Sequence, residues 1–134
     1  MKRRDVLLAA ALMLASLAGC IYETRSPQCS FEVMTHTPAQ ANALRALVLD
    51  FARRGGFDKE EKTGMHDYLA ARDIYILSYS GKNDSFIALS NVGDRWRYTI
   101  GVYDVRGTAY ATAIGRDLMR LLERHSAGTV TRLP

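Results

Sequence analysis

Three stretches between residues 73 and 103 constrain the fold more than any other part of the chain. Asp73-Ile74-Tyr75-Ile76-Leu77-Ser78-Tyr79 is rich in β-branched and aromatic residues, the types that fit a pleated sheet surface. Ser80-Gly81-Lys82-Asn83-Asp84 supplies turn formers, and Phe86-Ile87-Ala88-Leu89-Ser90 returns. Asn91-Val92-Gly93-Asp94 turns the chain again before a third run, Arg95 to Tyr103. Connections this short cannot cross a sheet face, so the three runs must be antiparallel neighbours in a meander. Side chains alternate along a strand, which puts Trp96, Tyr98, Ile100 and Val102 on a core face. Arg95, Arg97, Thr99 and Tyr103 then share the opposite face.

Two amphipathic helices flank the meander. Thr37-Pro38-Ala39-Gln40 has capping-box spacing, with Thr37 as N-cap, Pro38 at the first helical position and Gln40 reaching back. Leu44, Leu47, Val48 and Phe51 mark one buried stripe, Arg53 and Arg54 complement the helix dipole, and Gly55-Gly56 end the helix. The second helix spans about residues 109–125 after a Thr108 cap, with Ala111, Ile114, Leu118, Leu121 and Leu122 as its stripe. Gly115 suits close packing on a neighbour, and Gly128 stops the run. Phe31 to Thr35 alternates weakly and is a candidate first strand. Phe57 to Lys62 reads as a charged connection, and Met65 to Arg72 fits either a short helix or the approach to a strand. Thr129 to Leu133 fits a final edge strand or a frayed tail.

The expected order is β-α-β-β-β-α, with an optional last strand. Two helices packed on one face of a mostly antiparallel sheet bury their stripes in an α+β two-layer sandwich. The chain has 134 residues, enough for one core, and its charged and apolar shares argue against wholesale disorder. Its domain plan is 1–19 as an export segment, 20–30 as a tether and 31–134 as a single folded unit.

The first twenty residues, MKRRDVLLAAALMLASLAGC, place Lys2, Arg3 and Arg4 ahead of an apolar stretch from Val6 to Leu17. That layout is a secretory signal, too short for a membrane-spanning helix of about twenty residues. Leu17-Ala18-Gly19-Cys20 resembles the lipobox of bacterial lipoproteins, and the likeness covers the export segment alone. It implies a diacylglyceryl group on the Cys20 thiol and cleavage just before that residue. Each buried methylene contributes about 0.8 kcal/mol, so two or three acyl chains hold a protein almost permanently. Arg3-Arg4-Asp5-Val6-Leu7-Leu8 is similar to the twin-arginine export motif, with Lys2 and Val6 departing from its usual residues, so two export routes stay open. Ile21 follows Cys20 where an Asp marks inner-membrane retention in enteric bacteria. The resemblance therefore implies an outer-membrane anchor with a periplasm-facing domain.

Cleavage removes three cations and one acid from a chain of net charge +4, leaving +2, too little to point to nucleic acid. Two cysteines make no disulfide framework, and Cys29 suits an inert buried thiol better than an interchain bridge. His36, His66 and His125 lack the close spacing of a metal-ligand pair. Asp58, Glu60 and Glu61 beside Lys59 and Lys62 lack the alternating oxygen ligands of a calcium loop. His66-Asp67 is a base without a marked nucleophile. Interleaved basic and aromatic residues make Arg95, Arg97 and Tyr103 the candidate binding face, with Trp96, Tyr98, Tyr75 and Tyr79 nearby.

The resulting expectation is a lipid-anchored envelope protein, not an enzyme, that serves as an accessory or interaction subunit. Its partners are the membrane, through the lipid, and an envelope protein or cell-wall component. No catalytic or metal site is expected, and the only prosthetic group is covalent lipid on Cys20. The alternatives are a module holding glycan or peptide on the sheet face, and a small hydrolase using His66-Asp67.

Overall fold

The computed structural model describes residues 26–125 and 127–132. The export segment, Cys20, Ile21, Leu133 and Pro134 lie outside them. The elements are β1 (Cys29–Met34), α1 (Pro38–Arg54), β2 (Lys59–Lys62), α2 (His66–Ala70), β3 (Ile76–Ser80), β4 (Phe86–Ser90), β5 (Arg97–Tyr103), α3 (Thr108–Arg124) and β6 (Thr129–Arg132). All six strands form one antiparallel sheet in the order β2-β3-β4-β5-β1-β6. The meander is β3-β4-β5, and β1 returns to pair with β5 from Cys29 opposite Val102 to Met34 opposite Arg97.

The start of α1 follows its sequence closely. Thr37 is the N-cap, and its hydroxyl accepts from the Gln40 N–H at 3.1 Å. The Gln40 side chain reaches one residue further back than a standard box, accepting from the His36 N–H at 2.8 Å. At the other end Gly56 adopts a positive φ of 87°, while its N–H donates to Arg53 O and the Phe57 N–H to Ala52 O. That double bond pattern is a Schellman close, and it drives Phe57 into the core.

Leu44, Val48 and Ala52 of α1 and Ala111, Leu118 and Leu122 of α3 bury against Phe31, Val33, Leu77, Ile87, Leu89, Ile100 and Val102. Both long helices therefore cover one sheet face, the α+β sandwich anticipated from the pattern. Gly115 lets α3 come down on β1: a Cβ there would lie 2.5 Å from Cys29 Sγ. Cys29 is accordingly buried beneath the helix.

Three details differ from the expected plan, and the segment left open between a short helix and a strand approach is a helix. Lys59-Glu60-Glu61-Lys62 is a strand, β2, pairing with β3 at the sheet edge. The segment after it folds as α2, whose Leu69 joins Ile74, Ile76 and Val92 in a small second cluster. Ile76 alternates with Leu77, so α2 covers a corner of the face opposite the long helices. The first strand begins at Cys29, inside the expected tether, because the Gln28 N–H already donates to Val102 O at 2.9 Å. The third meander strand begins at Arg97, since the Arg97 N–H closes a turn onto Asp94 O. Trp96 thus sits in that turn, half-buried, instead of on the core face.

Candidate functional site

The antiparallel registers give the domain two ends. At the root end lie the start of β1, the close of α1, the β3–β4 turn and the β5–α3 corner. At the distal end lie the start of α1, α2, the β4–β5 turn and the close of α3.

The distal end gathers cations over aromatic rings. Arg45 of α1 places its guanidinium carbon 3.8 Å from the Tyr75 ring centre and donates to the Tyr98 hydroxyl at 2.6 Å. Burial pushes the Tyr98 phenol above its ordinary value, with the Arg45 charge pulling the other way. Arg72 lies 3.6 Å over Tyr68, and Arg95 lies 4.3 Å over Trp96 while approaching Asp73 Oδ2 at 3.5 Å. Asn91 ties these segments together from a position only 1 % exposed. Its Oδ1 accepts from the Tyr75 N–H at 2.7 Å, and its Nδ2 donates to Asp73 O at 2.7 Å and Arg95 O at 2.9 Å. On the surface beside this frame, Met65 and Tyr68 are exposed.

The root end is built differently. Asp104, 2 % exposed, accepts from the Arg106 backbone N–H at 2.9 Å and from its guanidinium at 3.0 and 2.8 Å. That pairing outweighs burial and holds the Asp104 carboxyl below the usual carboxylate range. The Asp104 N–H donates to Gln28 Oε1 at 2.9 Å, so the chain entering β1 is clamped to the β5–α3 corner. Pro27 lies flat on Gly101, where any Cβ would come within 2.6 Å of its ring. Beside this corner is an open cleft of 710 Å³, floored by Phe51, Phe57 and Ile114 and rimmed by Asp58, Arg106 and Asp117.

The residues anticipated as a binding face do not converge. Arg95 belongs to the distal turn, and Arg97 opens β5 with its Nε 3.9 Å from Glu32 Oε2. Tyr103 closes β5 at the root end, half-buried and stacked on Phe86 at 5.4 Å. Six residue steps along the strand separate Arg97 from Tyr103, about 20 Å. The His66 ring lies 6.3 Å from the Tyr75 ring in a tilted, T-shaped arrangement, and Asp67 beside it is exposed. Cys29, the one cysteine among the described residues, lies at the other end of the sheet.

His36, His66 and His125 all fall at the distal end. Among the described residues, no three His, Cys, Asp or Glu side chains come together as metal ligands. Also among them, no helix is long and apolar enough to cross a membrane.

Nothing local in the sequence marks Arg45, Asn91, Gln28 or the Asp104–Arg106 pair as more than ordinary helix, turn or linker residues. Asn91 and Asp104 each stand at a strand end before a turn, where such residues are ordinary. Each is fixed by a partner distant in sequence, Asp73 and Tyr75 for Asn91 and Gln28 for Asp104. No protein-family model matches the chain, and no curated protein matches it.

Proposed function

We propose that this chain is a lipid-anchored envelope lipoprotein, held at the outer membrane through Cys20, whose domain works as an interaction subunit in the periplasm. Leu17-Ala18-Gly19-Cys20 behind a charged and apolar export segment supports the anchor. One observation carries the interaction role: the distal end presents three arginine–aromatic stacks next to exposed Met65 and Tyr68. Arginine and tyrosine supply much of the binding energy in protein interfaces, because they bury large area at low entropic cost and still hydrogen-bond. Arg72 is already stacked and bonded to Tyr68 O at 2.9 Å, so little ordering is left for a partner to impose. The partner that fits is an envelope protein with an apolar contact surface edged by acidic groups.

A photo-crosslinker placed at Tyr68 in cells tests the role. The expected result is one reproducible envelope protein, lost in Cys20→Ser and reduced at least severalfold by Arg72→Glu. Crosslinking no stronger than in the unanchored Cys20→Ser chain would overturn it.

A further inference from the structure

We propose that the root end of the domain rests on the bilayer surface, with Val105, Arg106 and Tyr110 in the phospholipid headgroup layer. The inference depends on the anchored reading above and adds the orientation that reading lacks. It begins from chain length. Pro27 and Gln28 are fixed to Gly101, Val102 and Asp104, so free chain between lipid and domain can run only from Cys20 to Ser26. Seven residues reach at most about 25 Å when fully extended. The corner that receives them is the β5–α3 corner, so this end cannot stand far from the membrane.

The surface at that corner suits an interface. Val105 is 47 % exposed and Tyr110 49 %, both large apolar side chains left open to solvent. Tyrosine is favoured at membrane interfaces, where its ring meets the acyl boundary and its hydroxyl meets the headgroups. The Arg106 guanidinium lies 4.1 Å over the Tyr110 ring and is held there by Asp104, which presents its charge at the level of lipid phosphates. Asp104 itself is consumed by that pairing. Asp58 and Asp117 also line the cleft beside this corner, where Arg106 is the one cation among the lining residues, so the charge there is not positive. Contact through a tyrosine and a valine, not through net positive charge, follows from that balance. Such a patch binds weakly on its own, but the tether makes contact intramolecular and raises the effective concentration of lipid.

The test uses the mature, lipidated chain in phosphatidylcholine vesicles that carry brominated acyl chains. Trp96 is the single tryptophan and lies in the distal turn, so it reports on the far end. In Trp96→Phe/Tyr110→Trp the only indole moves to the root. At least twofold quenching of the relocated indole is expected, with native Trp96 unaffected and no change between low and high salt. In the unaltered chain, amide exchange across residues 104–111 should slow on vesicles, a readout that needs no substitution. Quenching of Trp96 alone, or neither quenching nor slowed exchange while the lipid adduct is present, would overturn the orientation. Absence of lipid on Cys20 by intact mass would instead remove the anchored reading itself.

Discussion

The two ends of this domain are each closed by one buried polar side chain, yet the chemistry of the closures differs. At the distal end Asn91, a neutral amide, bonds three backbone groups and so joins the start of β3 to the turn before β5. At the root end Asp104, a carboxylate, is satisfied by the Arg106 cation two residues away, while its backbone N–H donates to the entering chain at Gln28 Oε1. A neutral clamp works at any pH at which the protein is folded, whereas an ionic one works only while its carboxyl is charged. The difference separates the ends in their response to acid, although they share one sheet and one core.

Asn91→Ala is the largest perturbation expected. It leaves the half-buried Tyr75 N–H without its Asn91 acceptor and two carbonyls without their Asn91 donor, a loss of about 3 kcal/mol, measurable as a shift in urea midpoint. Leu would be no better, since the backbone groups would still lack partners. Asp104→Ala should cost about 2 kcal/mol, because the Arg106 N–H loses its acceptor and a small void replaces the carboxyl. If the two variants lost equal stability and opened the same amides to exchange, the ends would be one cooperative unit and the contrast would fail.

Acid sharpens the contrast. The folded-state value of Asp104 lies below its unfolded value, so its contribution is complete above the ordinary carboxylate value of about 3.9 and is lost as pH falls through the lower folded value. Amides around residues 103–111 should therefore lose exchange protection in strong acid before those around residues 73–77 and 95–98. Simultaneous loss would show that other carboxylates govern acid unfolding. The smallest stability effect belongs to Arg72→Ala, under about 1 kcal/mol for an exposed cation over a ring. Its effect should appear in partner crosslinking instead, and a variant that kept full crosslinking would take Arg72 out of the distal surface.

Much of the fold was legible because its signals are local. The Thr37–Gln40 cap, the Gly55-Gly56 close and the alternation of Tyr98, Ile100 and Val102 each need only a few neighbouring residues. β2 was not legible, because four consecutive charges carry no apolar alternation. Charged residues suit an exposed edge strand, where they discourage pairing with other chains. α2 has five residues, too few for a helical period to declare itself. The sites were less legible still. Arg97 and Tyr103 share a strand face, but strand length sets them apart. Arg45 meets Tyr75 and Tyr98 only because α1 runs back across the sheet. Gln28 looks like linker, and its role depends on a corner reached seventy-six positions later.

The position of β1 has a mechanical consequence. The strand is second from the edge, paired along six residues with β5 and along four with β6. Load arriving through Pro27 and opposed at the far end of the domain runs parallel to β1. Inter-strand bonds in an antiparallel ladder stand perpendicular to that direction, so both ladders resist together in shear and are not peeled open one rung at a time. A peripheral strand pulled across its axis would unzip sequentially. Suspended from β1, the domain should bear tension with a slow forced-unfolding rate, which a single-molecule pulling experiment between residue 26 and α2 would measure.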